Sequence, residues 1–178
     1  MSLIFRSIKN KNLKKKFLED IVKLKSQEWK YSYISQKRWI KKNLHNEDIH
    51  NLFLNNEKLI GYTLLRKRQF YLIFKKKKLI KNYFYFDTLI INKKYRGKNF
   101  KNKKYSEIMM NFNNKVIRNN DYVSILHCYK HMIKFYKKFG WVTSGNKKIY
   151  CSEKKRLNIM LFNLKNVAFS EILFNIRK

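Results

Sequence analysis

Two segments of this 178-residue chain gather side chains that could do chemistry. The first runs from Phe86 to Met109. An apolar stretch, Leu89-Ile90-Ile91, enters a short basic loop holding Gly97, and a helical pattern follows. The first turn of a helix carries unpaired N–H groups and the positive end of the dipole, so it attracts phosphate. Arg96, Lys98, Lys101 and Lys103 crowd the expected turn. A diphosphate would find donors and charge together there. The alternative is an ordinary strand–loop–helix connection with basic side chains.

Asp87 is one of 11 acidic residues, and it lies in the same apolar strand. Burial there would raise its pKa and suit it to accept a proton. The competing reading is a carboxylate paired with a nearby Lys or Arg. His127 and His131 are further candidate bases, with packed or surface positions as their alternative. Cys128 has no base and orienting carboxylate in an arrangement that would activate it, so it reads as a small core thiol. The Cys and His spacing does not match a zinc site, and no metal is expected.

The elements that must position these residues follow from periodicity, because the chain has no Pro and only four Gly. Leu3 to Ile8 reads as a strand. Leu13 to Lys30 and Gln36 to Asn43 read as helices. Ile49 to Leu54 and Leu59 to Arg66 read as a hairpin about Asn55–Lys58. Phe70 to Lys81 reads as a basic excursion, with Lys75 to Lys78 as its solvated tip. Tyr83 to Ile91 is the most strand-like stretch. Phe100 to Asn119 reads as a helix, Tyr122 to Cys128 as a strand, and His131 to Phe139 as a helix capped by Gly140. Trp141 to Ser144 and Leu157 to Leu164 are late strands, and the last dozen residues are amphipathic and would cover the sheet. This order predicts one α+β domain over residues 1–178, with a mixed sheet.

The charge balance is extreme, with 43 Lys and Arg against 11 Asp and Glu, a formal net charge of +32. Such a surface attracts nucleic acid, anionic membrane or acidic ligands. Yet Lys, Asn, Ile, Phe and Tyr supply 101 of 178 residues, and these are the residues of AT-rich codons. Drift accounts for much of the lysine and not for the scarcity of Asp and Glu. Two cysteines are too few for a disulfide framework. No apolar run approaches the roughly 20 residues that span a bilayer. A cytoplasmic location is the expectation.

The second segment is Leu126 to Val142, containing Phe135-Tyr136-Lys137-Lys138-Phe139-Gly140-Trp141. Together with Arg96-Gly97-Lys98-Asn99-Phe100-Lys101 it resembles the GNAT superfamily of acyl-CoA-dependent N-acyltransferases. The family has a phosphate loop Arg/Gln-x-x-Gly-x-Gly/Ala after its fourth strand, and later a helix ending in a Phe-Tyr-Lys-Lys-Phe-Gly-Trp-like sequence. The resemblance spans roughly Leu3 to Leu164. Departures are Asn99 and Lys101 at the two loop glycines, and Tyr129 and Met132 where an Asn and an Ala often open the later helix.

The resemblance implies a three-layer α+β fold with a mostly antiparallel sheet flanked by helices. It implies an acyltransferase using acetyl-CoA as donor. Arg96, Gly97, Lys98, Asn99, Phe100 and Lys101 would hold the diphosphate, and backbone groups of Leu89 and Ile91 would pair with the pantetheine amides. Tyr136 would hydrogen-bond the leaving sulfur. Asp87 shares strand parity with Tyr85, the position where some members carry a catalytic Glu. The implied acceptor is a primary amine of a small, anionic molecule such as an amino-sugar, attacked directly in a ternary complex by a monomer or homodimer. Nucleic acid or acyl carrier protein is a less favoured partner. The rival readings are a non-enzymatic nucleic-acid-binding protein and an inactive module with the same fold.

Overall fold

The computed structural model describes residues 2–74, 77–145, 148–151, 157–164 and 171–175. In chain order the elements are β1 (Leu3–Lys9), α1 (Lys15–Ser26), α2 (Tyr33–Asn43), β2 (Ile49–Asn55), β3 (Lys58–Phe74), β4 (Lys77–Ile91), β5 (Asn99–Phe100), β6 (Lys103–Lys104), α3 (Tyr105–Asn119), β7 (Val123–Cys128), α4 (Ile133–Lys137), β8 (Val142–Thr143), β9 (Lys148–Cys151), β10 (Asn158–Phe162) and β11 (Glu171–Phe174). The chain divides into two compact units. The first holds Met1–Arg66 and Thr88–Asn113, the second Lys67–Asp87 and Asn114–Lys178.

In the first unit β1, β2 and β3 form an antiparallel meander, from Leu3 opposite Asn55 to Ile49 opposite Leu65. Asn56 and Glu57 both take left-handed backbone, φ 45° and 64°, the geometry that two-residue hairpin loops require. Strand β2 is buried on both faces, so alternate residues enter different cores. Leu52 and Leu54 pack with Ile21, Val22, Leu24 and Ile40 of the two helices. Phe53 packs with Ile60, Ile91, Tyr105 and Met109. At Gly61 a Cβ would lie 2.9 Å from Cδ1 of Ile91 and 3.2 Å from Cβ of Phe53, so the close strand approach favours glycine. Helix α2 starts at Tyr33, earlier than Gln36, because the Ser32 hydroxyl accepts from the Ser35 N–H at 3.1 Å and caps it.

In the second unit Tyr83–Tyr85 of β4 runs parallel to Val123–Ile125 of β7. Strand β10 pairs antiparallel with β7 and with β8. Strand β11 pairs antiparallel with β3 and parallel with β9. The expected fold class, α+β with a mixed and mostly antiparallel sheet, is the one found. The chain end differs from expectation: it joins the sheet instead of lying over it. Its pattern is the reason, because Ile172 and Phe174 are fully buried while Leu173 is 38% exposed, a strand alternation. The expected excursion over Phe70–Lys81 is strand as far as Phe74 and again from Lys77, since Tyr71, Leu72, Ile73 and Phe74 all favour extended backbone. Positions 75 and 76 of the expected lysine tip lie outside the described residues, and the side chains at 77 and 78 do too.

Helix α3 begins at Tyr105, not Phe100. Residues 99–104 instead make a small hairpin, Asn99 opposite Lys104 and Phe100 opposite Lys103. Lys101 and Asn102 turn it with φ 48° and 63°. Phe100 anchors the hairpin against the Phe53–Tyr105 cluster. A local turn and one aromatic anchor thus decide a stretch that has a single apolar residue, and the helical spacing begins only at Tyr105.

One buried titratable group ties the first unit together. His50 is fully buried; its Nε2 donates to Asn10 Oδ1 at 3.1 Å and its Nδ1 accepts from the Tyr62 hydroxyl at 2.9 Å. Burial first, and the Lys25 charge second, lower its pKa from 6.5 to about 4. The unfolded chain takes up this proton near pH 6.5 and the folded chain near 4. Folding is therefore penalised increasingly as pH falls between those values, by on the order of 3 kcal/mol at the lower end. Urea unfolding at pH 7.0 and 4.5 checks this. Stability drops in the parent and drops much less in His50→Gln; equal drops in both remove His50 as the cause.

Candidate functional site

The first unit carries the loop residues. Gly97 takes φ 71°, with open space where a Cβ would be, and turns the chain after β4. Lys98 N–H donates to Tyr95 O at 3.3 Å, and Tyr105 N–H donates to Lys98 O at 3.4 Å. Among the described residues, the N–H groups of Gly97, Lys101 and Asn102 have no acceptor. Lys98, Lys101, Lys103 and Lys104 are exposed on the same short stretch. These donors and charges suit a diphosphate.

Two carboxylates change the picture drawn from the sequence. Glu107, in the first turn of α3, accepts from Lys104 N–H at 3.1 Å. The helix start thus already holds an anion of its own, in the manner of a capping box. Arg96 forms an ion pair with Glu28 through both terminal nitrogens, and its Nε donates to Ile91 O at 2.8 Å. The guanidinium is folded back onto the strand end, and the Ile91 carbonyl is engaged inside the protein. The pair is exposed, so water screens it and its net worth is small. Leu89 packs beside the Phe53–Tyr105 cluster. Lys93 N–H donates to Gln27 Oε1 at 3.2 Å, and Asn55 Nδ2 donates to the Tyr95 hydroxyl at 3.3 Å. The loop is therefore tied to the end of α1 and to the β2–β3 turn.

The second unit carries Tyr136 and Asp87. Tyr136 lies in α4, 9% exposed. Gly140, φ 80°, ends the helix in a left-handed residue. Gly140 N–H donates to Lys137 O at 3.0 Å and Trp141 N–H to Tyr136 O at 3.3 Å, the two bonds of a Schellman motif. The Trp141 ring then lies 6.2 Å from the Tyr136 ring, and Phe86 stands edge-on at 6.3 Å. Among the described residues no group hydrogen-bonds the Tyr136 hydroxyl. Burial, and then the neighbouring Cys128 thiolate, push its pKa well above the ordinary phenol value. It stays a neutral O–H donor throughout the range in which proteins work.

Asp87 is half-buried rather than fully buried. Tyr85 is buried in the Phe70–Tyr83 core, with its ring edge-on to His127 at 5.7 Å. His131 is exposed and stacked on Tyr129 at 5.8 Å. Cys128 is buried, and burial pushes its thiol up, which disfavours the thiolate. Among the described residues no cluster of three or more His, Cys, Asp or Glu is placed to hold a metal.

Sequence reasoning missed Asn114. It is buried in α3, donates from Nδ2 to Phe139 O at 2.9 Å and accepts from the Trp141 indole N–H at 3.1 Å. One amide therefore satisfies the Phe139 carbonyl, just past α4, and the indole beside Tyr136. The available signal was an Asn in mid-helix, where its own backbone-bonding habit is unfavourable. Glu28 and Glu107 were missed for the opposite reason: exposed carboxylates on helix ends carry no motif.

No protein-family model matches the chain, and no curated protein matches it. Solved structures do. The acyl-CoA N-acyltransferase from Pseudomonas aeruginosa superposes with a TM-score of 0.62 at 14% identity, over 90% of this chain and 99% of its own. ElaA of Escherichia coli gives 0.61 at 15%, over 90% and 98%. The PaiA N-acetyltransferase of Thermoplasma acidophilum, crystallised with coenzyme A, gives 0.55 at 17%, over 90% and 98%. The likeness is one of architecture along nearly the whole length of both partners, and the fold is that of the GNAT superfamily of N-acyltransferases.

Proposed function

We propose that this chain transfers an acyl group, acetyl first among them, from coenzyme A to a primary amine. The observation that carries the reading is the architecture it has in common with N-acetyltransferases, one of them crystallised with coenzyme A. The exposed lysines and open N–H donors of residues 97–102 suit a diphosphate, which supports the same reading. Coenzyme A, when bound, supplies the acyl group as a thioester.

Each residue then has a task within reach of its chemistry. Lys98, Lys101 and the N–H groups of Gly97 and Lys101 hold the diphosphate. Arg96 exchanges Glu28 for it, at little cost because that pair is exposed. Asn99 and Phe100 shape the hairpin that presents these donors. The ends of Leu89 and Ile91 on β4 align the arm of the donor. The acceptor nitrogen bonds to the acyl carbon as the carbon–sulfur bond breaks, and its proton passes to Asp87 or to water. Tyr136 donates its O–H to the departing sulfur. With its pKa above that of a thiol, near 8.5, the phenol stabilises the thiolate by hydrogen bonding and does not give up its proton outright. The acceptor we propose is a small amine bearing negative charge, such as an amino-sugar. The cytoplasm is the proposed location; among the described residues no helix is long and apolar enough to cross a membrane.

A second reading has a specific observation behind it. The hairpin at 99–104 and the Glu107 carboxylate at the start of α3 both occupy the place where a bare helix terminus would face phosphate. A module with this fold that does not bind coenzyme A would look the same.

Isothermal titration with acetyl-CoA at physiological salt separates the two. Heat of binding and a thermal shift are expected, and the absence of both ends the enzyme reading. Once an amine acceptor is found by screening, Tyr136→Phe lowers kcat by about 100-fold with the unfolding transition unchanged; parental kcat removes Tyr136 from the chemistry. Asp87→Asn lowers kcat by about 100-fold, and parental kcat assigns the proton to water.

A further inference from the structure

We infer that the α1–α2 connection and the outer face of α2 form a surface for single-stranded nucleic acid. Between Glu28 and Glu47 the chain has Lys30, Lys37, Arg38, Lys41 and Lys42 and not one Asp or Glu. Interleaved with them are Trp29, Tyr31, Tyr33 and Trp39. The fold leaves these rings at the surface: Tyr31 is 66% exposed, and Trp29, Tyr33 and Trp39 are each 37%. A groove of about 740 Å³ runs along α2, and Tyr33, Ile34, Lys37, Arg38 and Lys41 are among its lining.

Cations are set against the rings rather than scattered among them. Lys25 Nζ lies 5.5 Å from the Trp29 ring centre and 4.6 Å from that of Trp39. The Arg66 guanidinium lies 5.8 Å from Trp39, and Lys37 Nζ lies 5.4 Å from Tyr33. Lys25 and Arg66 are buried in these positions, which holds positive charge at fixed points beside residues 29–46, a segment with no Asp or Glu.

Single strands ask for this pairing of features. The backbone needs cations along a groove, and the bases need flat rings on which to stack. An anionic membrane would instead ask for exposed aliphatic side chains that insert; of the aliphatic residues that line this groove, Ile34 is exposed, Leu13 and Leu18 are half-buried, and Ile40 and Leu44 are buried. Base-composition drift explains surplus lysine and tyrosine. It does not explain tryptophan, whose codon is not AT-rich. Of the three Trp, Trp141 is core and the two surface indoles are both here. The inference stands apart from acyl transfer, and its test needs no coenzyme A.

The experiment is fluorescence anisotropy with a fluorescein-labelled 20-nucleotide oligouridine and the full chain, at several salt concentrations. Oligouridine binds, and unlabelled inorganic polyphosphate of equal charge competes weakly. Tyr31→Ala and Tyr33→Ala each weaken binding by about tenfold; Tyr31 is exposed, so its removal leaves folding intact. Lys37→Gln with Arg38→Gln reduces the salt slope by about two, while the exposed pair Lys81→Gln with Lys115→Gln has less effect. Parental affinity in both tyrosine variants, or equal losses from the two charge pairs, overturns the proposal and leaves binding as general polyanion attraction. No binding at physiological salt overturns it outright.

Discussion

The left-handed turn at Gly140 is the constraint on which the second unit's candidate chemistry rests. Only there can the chain reverse so that Trp141 N–H reaches Tyr136 O while Gly140 N–H reaches Lys137 O. A residue with a Cβ pays a strain penalty at φ 80°. Once the turn is made, the indole of Trp141 falls beside the Tyr136 ring, and Asn114 reaches both the indole and the Phe139 carbonyl. A helix of five residues has little stability of its own. Its phenol is aimed by the cap and the amide, not by helix propensity. The motif Phe-Tyr-Lys-Lys-Phe-Gly-Trp is thus a piece of capping chemistry, with Tyr136 at the next-to-last residue of α4.

In the first unit the governing competition lies between a hairpin and a helix terminus. Residues 99–104 hold one apolar side chain, Phe100, ahead of the helical spacing that begins at Tyr105, and they form β5, a two-residue turn and β6. Asn102 tolerates left-handed backbone, which lowers the cost of that turn. Phe100 gains burial against Tyr105, and Glu107 satisfies the Lys104 N–H. The anion-attracting ability of the loop survives in another form, with open N–H groups at Gly97, Lys101 and Asn102 in place of a bare helix end. Lys101 and Asn102 make the turn of this hairpin, and Asn99 pairs with Lys104 within it.

What could be read beforehand follows from which forces are local. Strands β2 and β4 and helix α1 announce themselves through apolar periodicity, and Gly140 through its position after a periodic run. The start of α2 depended on a single hydroxyl, Ser32, in a chain rich in polar residues. The role of the chain end depended on partners far away in sequence, Phe70–Ile73 and Lys148–Cys151. Its alternation of Ile172, Leu173 and Phe174 fits a strand and an amphipathic cover equally until those partners are known. The loop residues at 96–101 were legible as a basic Gly-containing connection. Their contacts with Glu28 and Glu107 were not, because an exposed carboxylate leaves no trace in hydrophobic pattern.

The scarcity of carboxylates gives the surface its order. Glu47 takes Lys9 and Lys11 together, and those two hydrogen bonds lower its pKa to about 2. Glu28 takes Arg96, Glu171 takes Lys148 at 3.5 Å, Asp48 caps His45 N–H at 2.9 Å, and Glu107 caps Lys104. Few acidic groups remain for the other cations, so most lysines must stand in water or rest on aromatic rings. Those in water are interchangeable, and drift can place them anywhere on the surface. Those on rings are not, because the ring must be built beneath them. Lys25 is within 6 Å of two indoles, and Arg66 is buried over one of them. The cations whose places the fold fixes are those held against rings, Lys25, Lys37 and Arg66 at Trp29, Tyr33 and Trp39 among them.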